Sequence, residues 1–143
     1  MQKLSVFLLF PLVAATPAAL AADLNPGLWE ITMVTRAPQQ AGWTPEPFSL
    51  SQCVTAQDAR DPSRLIGAYA NPGATGCSYT EKNYTGSTFR FAMQCAGTFG
   101  IDSRGSVTFS PDSFSGTISV KANVAGQPTE FQNQISGKRL GGC

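Results

Sequence analysis

Histidine is missing from all 143 residues of this chain. Its absence excludes Ser–His and Cys–His nucleophilic pairs and every histidine-bearing metal site. Charge is also scarce, with 10 Lys and Arg against 9 Asp and Glu. The nearest thing to a basic stripe is Lys138-Arg139, so nucleic acid is not an expected partner. There is neither an acidic tail nor a polybasic patch for a membrane surface. No C-x-x-C pair exists, because Cys53, Cys77, Cys95 and Cys143 are spread along the chain; that spacing excludes a zinc site. Beyond residue 21 no apolar run approaches the roughly 20 residues that a membrane helix needs, so no membrane span is expected. Glycine clusters at Gly97-Thr98-Phe99-Gly100 and Gly141-Gly142 lack the strand–helix setting and the lysine of a phosphate cradle. No cofactor motif is present.

The N-terminus is the clearest positive signal. Lys3 precedes an almost wholly apolar stretch from Leu4 to Ala15, and small residues run on to Ala19-Leu20-Ala21. That order is a basic n-region, an apolar h-region and an A-x-A cleavage site. It predicts a removable signal over residues 1–21 and a single secreted β domain over 22–143. The h-region is too short to span a bilayer, and Pro11 interrupts it. No cysteine follows the cleavage site, so a lipid anchor is not expected. Loss of Lys3 leaves nine basic residues against nine acidic ones. Four cysteines in a small exported domain read as disulfides.

Within the mature chain, Leu28–Arg36 puts Trp29, Ile31 and Met33 on one face, the period of a half-buried strand. A Pro-, Gly- and Gln-rich loop holding Trp43 runs from Ala37 to Pro47, and Phe48–Val54 is a second strand. Thr55-x-x-Asp58 looks like a capping box, and Asp61-Pro62 like an N-cap followed by proline at N1. Residues 55–66 are therefore expected as one broken helix or two short turns. From Cys77 a meander follows. A three-residue loop at 85–87 would put Cys77 opposite Cys95, Tyr79 opposite Met93 and Glu81 opposite Phe91. The turn at Ser110–Ser113 sets Phe109 against Phe114 and Val107 against Gly116. A last turn over Ala125–Pro128 sets Val124 against Thr129 and Ala122 against Phe131. One face is apolar, while the other carries Thr108, Ser115, Thr117, Ser119, Lys121, Gln132, Gln134 and Lys138. The expected fold is mainly β: a curved antiparallel meander of about seven strands with one short helical crossover. It is barrel-like, with an open sheet covered by the helix as the alternative.

Strand direction favours one disulfide pairing. Cys77 and Cys95 fall together at the end of their hairpin remote from its turn. If the first strand pairs antiparallel with the last, Cys53 and Cys143 meet at the opposite end. Each other pairing would join the two ends, although bridged Cα atoms lie about 4.4–6.8 Å apart and a six-residue strand spans about 20 Å.

Three segments carry a resemblance. They are Pro26-Gly27-Leu28-Trp29-Glu30, Gln52-Cys53-Val54-Thr55 before a helix start, and Ser136-Gly137-Lys138-Arg139-Leu140-Gly141-Gly142-Cys143. Together the chain resembles a group of small secreted proteobacterial proteins with a domain of unknown function. The resemblance implies a periplasmic protein of a Gram-negative bacterium with paired cysteines. It implies no activity, ligand or catalytic residue.

Three residues stand out as binding candidates. Trp43 lies in a segment without periodicity to hide it, so it either recognises a ligand or partner or folds as a lid over one barrel mouth. The loop from Tyr69 to Gly76 belongs to the same mouth. Strand parity places Glu81 on the apolar face, where a carboxylate needs a partner. Arg139 shares that inward parity on the last strand. A structural ion pair or a slipped register is the plainer account of both. No catalytic residue and no metal ligand is expected, and the chain does not read as an enzyme. The leading expectation is a monomeric periplasmic or secreted binding protein for a small apolar or amphipathic ligand. The alternative is an envelope protein–protein interaction or inhibitor module acting through the Trp43 loop.

Overall fold

Trp29, Ile31 and Met33 alternate into the interior along β1 (Gly27–Arg36) in the computed structural model, which describes residues 24–38, 42–71, 74–97 and 99–143. The expected signal, residues 1–21, lies outside them. Next come β2 (Phe48–Val54), α1 (Ala56–Arg60) and α2 (Pro62–Tyr69). The meander follows as β3 (Cys77–Thr85), β4 (Thr88–Cys95), β5 (Ile101–Ser110), β6 (Ser113–Val124) and β7 (Gln127–Gly141). All the strands join one antiparallel sheet in the order β2-β1-β7-β6-β5-β4-β3. The sheet curls but does not close into a barrel, because β2 and β3 remain as edges. The helices connect those two edges, and α2 buries Leu65 and Ile66 in the core.

Local chemistry accounts for the helical crossover. Thr55 Oγ1 accepts from the Asp58 N–H, and Asp58 Oδ2 accepts from the Thr55 N–H, so a capping box starts α1. Pro62 at the first turn of α2 keeps Asp61 out of helical conformation, so α1 ends at Arg60. Two short helices therefore replace a single crossover helix.

Strand β4 finishes and β5 begins at one end of the sheet, called the upper end below. The lower half of the interior is filled by aromatic rings. Trp29 stacks on Phe114, which tilts against Phe109, while Phe89 stacks with both Tyr84 and Phe91. Trp29 Nε1 donates to the Asn25 carbonyl at 3.0 Å, so its one polar atom is satisfied. Each such buried side chain contributes about 1.5–3 kcal/mol. Gly137 makes this packing possible, since a Cβ there would stand 2.1 Å from Phe114 Cε1.

Two expected registers need correction. The β3–β4 hairpin turns on Gly86 and Ser87 alone, with Gly86 at φ 58, the glycine that a type II′ turn requires first. Thr85 therefore pairs with Thr88, and Lys82 rather than Glu81 lies opposite Phe91. A bulge between Tyr79 and Glu81 restores the count, so Cys77 does face Cys95 and Tyr79 does face Met93. The last hairpin turns on Ala125-Gly126, pairing Val124 with Gln127 and Ala122 with Thr129. That slip moves each partner by two residues, so every side chain keeps its expected face. Pro128 enters β7 without losing a ladder bond, because β1 pairs with β7 no further up than Gln132. The β5–β6 hairpin pairs Phe109 with Phe114 and Val107 with Gly116.

Candidate functional site

The three segments behind the resemblance meet at the lower end of the sheet. Leu28 pairs with both Cys53 and Gly141, and the Cys53 and Cys143 sulfurs are at disulfide distance. Arg139 Nε donates to the Pro26 carbonyl at 2.9 Å. Gly27, at φ 147, leaves the room this needs: a Cβ would stand 2.2 Å from the Gly141 carbonyl and 2.8 Å from Arg139 Nε. These segments form a clasp between the first and last strands. Arg139 is part of the clasp.

Glu81 is not near Arg139. The bulge turns it to the outer face of β3, where Arg104 Nη1 lies 3.6 Å from Glu81 Oε2 with both side chains exposed. Such a pair contributes little. Lys82 takes the inward position instead and reaches over the Tyr79 ring, 5.3 Å from its centroid. On an edge strand the ammonium keeps its water.

A polar cluster that sequence reasoning missed joins α2 to β3. Asp61 Oδ1 accepts from the hydroxyls of Ser63 and Tyr84. The Ser63 N–H donates to Tyr84 Oη at 3.1 Å, and the Tyr79 hydroxyl donates to the Ser63 carbonyl at 2.6 Å. Burial raises both tyrosine hydroxyls above their usual value, Tyr79 strongly, so each stays protonated near neutral pH. Burial also works against the Asp61 carboxylate, but the Ser63 bond, the Lys82 charge and the Tyr84 bond outweigh it and hold its pKa below the usual value. Each of these groups is engaged with another member of the cluster. The cluster is a clamp that fixes α2 on an edge strand.

The upper end differs from the lower. Trp43, Phe99 and Val124 lie towards the upper end, 48%, 50% and 38% exposed, whereas Phe48, 56% exposed, opens edge strand β2 level with Met33 and Ile135. Only Leu140 is a comparably exposed apolar side chain at the lower end among the described residues. Trp43 packs edge-on against Phe131, centroids 6.2 Å apart, so one side of its ring is anchored and the other is open. Phe131 in turn packs on the core from the inner face of β7. Of the 69–76 loop, Ala70 and Asn71 are buried. Asn71 Nδ2 donates to Ser103 Oγ on β5 at 3.0 Å. On the outer side of this end a cleft of about 380 Å³ is lined by Asp102, Lys121 and Glu130, which stand side by side across β5, β6 and β7. Among the described residues no three His, Cys, Asp or Glu side chains gather as metal ligands would. Nor is any described helix long and apolar enough to cross a membrane.

The Cys77–Cys95 pair is also at disulfide distance. Two such pairs are compatible with an oxidising, extracytoplasmic location. A family model described as a protein of unknown function, DUF3617, matches residues 24–143. No curated protein and no solved structure matches the chain.

Proposed function

The chain belongs to the DUF3617 family of proteins of unknown function, and we propose that it is a non-catalytic periplasmic binding protein for a small amphipathic molecule. One observation carries this reading. Three exposed apolar side chains, Trp43, Phe99 and Val124, lie towards the upper end, while aromatic rings fill the interior of the lower end. Scattered exposed apolar residues need no explanation, but a cluster over one end of a sheet marks an interaction site. Trp43 provides the face on which a ligand stacks, and Phe131 holds it in place.

The test is native mass spectrometry of the protein released from the periplasm without detergent. Wild type retains a small-molecule adduct. Trp43→Ala loses it, while its unfolding free energy stays within about 0.5 kcal/mol, as for a surface residue. A wild-type protein with no adduct overturns the proposal. So does a Trp43→Ala variant that loses several kcal/mol, because Trp43 is then part of the core.

A second reading rests on the two sheet edges. Edge β3 carries Glu81, Lys82 and a bulge, which discourage strand addition. Edge β2, Phe48–Val54, has no charge, no proline and no bulge. An envelope protein that adds a strand along β2 would use that difference. Ser51→Lys would then abolish the complex and leave small-molecule binding intact.

A further inference from the structure

We infer that the molecule bound at the upper end is neutral and presents an O–H or N–H donor to the side-chain amide oxygens of Asn71 and Asn133. This rests on the ligand-binding reading above and adds the chemistry of the ligand. Asn71 and Asn133 are 8% and 6% exposed, and neither Oδ1 has a hydrogen-bond partner among the described residues. A buried acceptor without a donor carries the full desolvation penalty of that group, so each requires an explanation.

Their placement supplies one. The Asn71 amide is fixed by its nitrogen, which bonds Ser103 Oγ and approaches the Met93 sulfur, so its oxygen is turned elsewhere. Ser103 pairs with Val120, and Val120 with Phe131, the ring that anchors Trp43. Asn133 is the next inward residue on β7 below Phe131, with Ile118 beside it on β6. Asn133 is level with Phe91 through Ile118 and Gly105, and Ser103, which holds Asn71, lies in the next inward row above, so both side chains belong to the middle of the interior, beneath the exposed apolar rim. Two acceptors ask for a donor and repel a carboxylate. No charged side chain is buried in the core among the described residues, so an ammonium would find no counter-charge. An apolar body ending in a hydroxyl or an amide N–H fits.

Isomeric probes test this with the mature, oxidised chain. 1-Octanol and 1-methoxyheptane have the same atoms, but only the alcohol donates. Isothermal titration calorimetry is expected to show octanol binding about tenfold more tightly, the equivalent of about 1.4 kcal/mol. Asn133→Leu and Asn71→Leu each reduce octanol towards the affinity of the ether and leave the ether unchanged. The thermal midpoint of Asn133→Leu holds or rises, since it removes an unpaired buried acceptor, whereas that of Asn71→Leu falls because the buried Ser103 hydroxyl loses its partner. Equal wild-type affinities for the two probes overturn the inference but keep the binding site. Full octanol preference in both variants also overturns it. Binding of neither probe overturns the ligand-binding reading itself. If a variant does not fold, the wild-type comparison still decides.

Discussion

Cys77 lies directly across from Cys95, and a bulge at Thr80 puts it there. The two-residue turn pairs Thr85 with Thr88, a register that would carry Cys77 past Cys95. The extra residue between Tyr79 and Glu81 makes up the difference. Deleting Thr80 removes the bulge and leaves a regular ladder in which Cys77 still meets Cys95. The deletion variant should therefore show no free thiol by intact mass after alkylation. Free thiols would mean that the bulge bends the strand into place as well as setting its count.

The two bridges differ in what they constrain. Cys53–Cys143 spans 90 residues and Cys77–Cys95 spans 18. In the chain-entropy model the first contributes about 4–5 kcal/mol and the second about 3. The double substitution Cys53→Ser/Cys143→Ser should lower the urea midpoint more than Cys77→Ser/Cys95→Ser does. The reverse order would show that the Arg139 clasp holds the ends without the bridge.

Much of the fold was legible because strand parity is robust. A turn that shortens by two residues keeps every side chain on its face, as in the Ala125-Gly126 hairpin. Parity failed at Glu81 because the turn and the bulge each changed the count by one. Their effects cancel from Cys77 to Tyr79, on the far side of the bulge from the turn, and not from Glu81 to Thr85. Asn133 was readable in principle, as a polar residue at an inward position between Phe131 and Ile135. Asn71 was not, since a loop has no period. Nor was the Asp61 clamp, in which an expected N-cap carboxylate makes no side-chain cap bond to α2 and accepts from β3 instead.

That clamp makes stability depend on acid pH. The folded pKa of Asp61 lies below its ordinary value of 3.8, so its contribution is present above that value. It is lost as pH falls through the lowered folded value. Asp58 acts in the same direction, through its hydrogen bond to Thr55 despite some desolvation. Asp61→Ala should cost about 1–2 kcal/mol near neutral pH, the lower range for hydrogen bonds to a charged group at a partly exposed site. The cost should shrink below pH 3.8. Urea unfolding of both proteins at neutral and acid pH measures it. A cost that does not change with pH would mean that the carboxylate is not the acceptor that matters.

Ala125 is the only non-glycine residue with positive φ among the described residues, at 51°, and Gly126 follows at 78°. Two successive positive φ values make the type I′ turn that suits the twist of a hairpin, and Asn-Gly is its preferred sequence. An alanine in the left-handed region costs about 1–2 kcal/mol. Replacement by glycine removes that strain but frees the unfolded chain by about 0.5–1 kcal/mol, so Ala125→Gly should gain little. Asparagine tolerates the conformation and keeps a side chain that restricts the unfolded state. Ala125→Asn should therefore stabilise by about 0.5–1 kcal/mol on that difference, and more than Ala125→Gly. A β-branched residue has no such tolerance, so Ala125→Val should destabilise. Thermal melts of the three variants test the order Asn, Gly, Val. A valine variant as stable as wild type would show that the hairpin turns another way, with the register between β6 and β7 shifted accordingly.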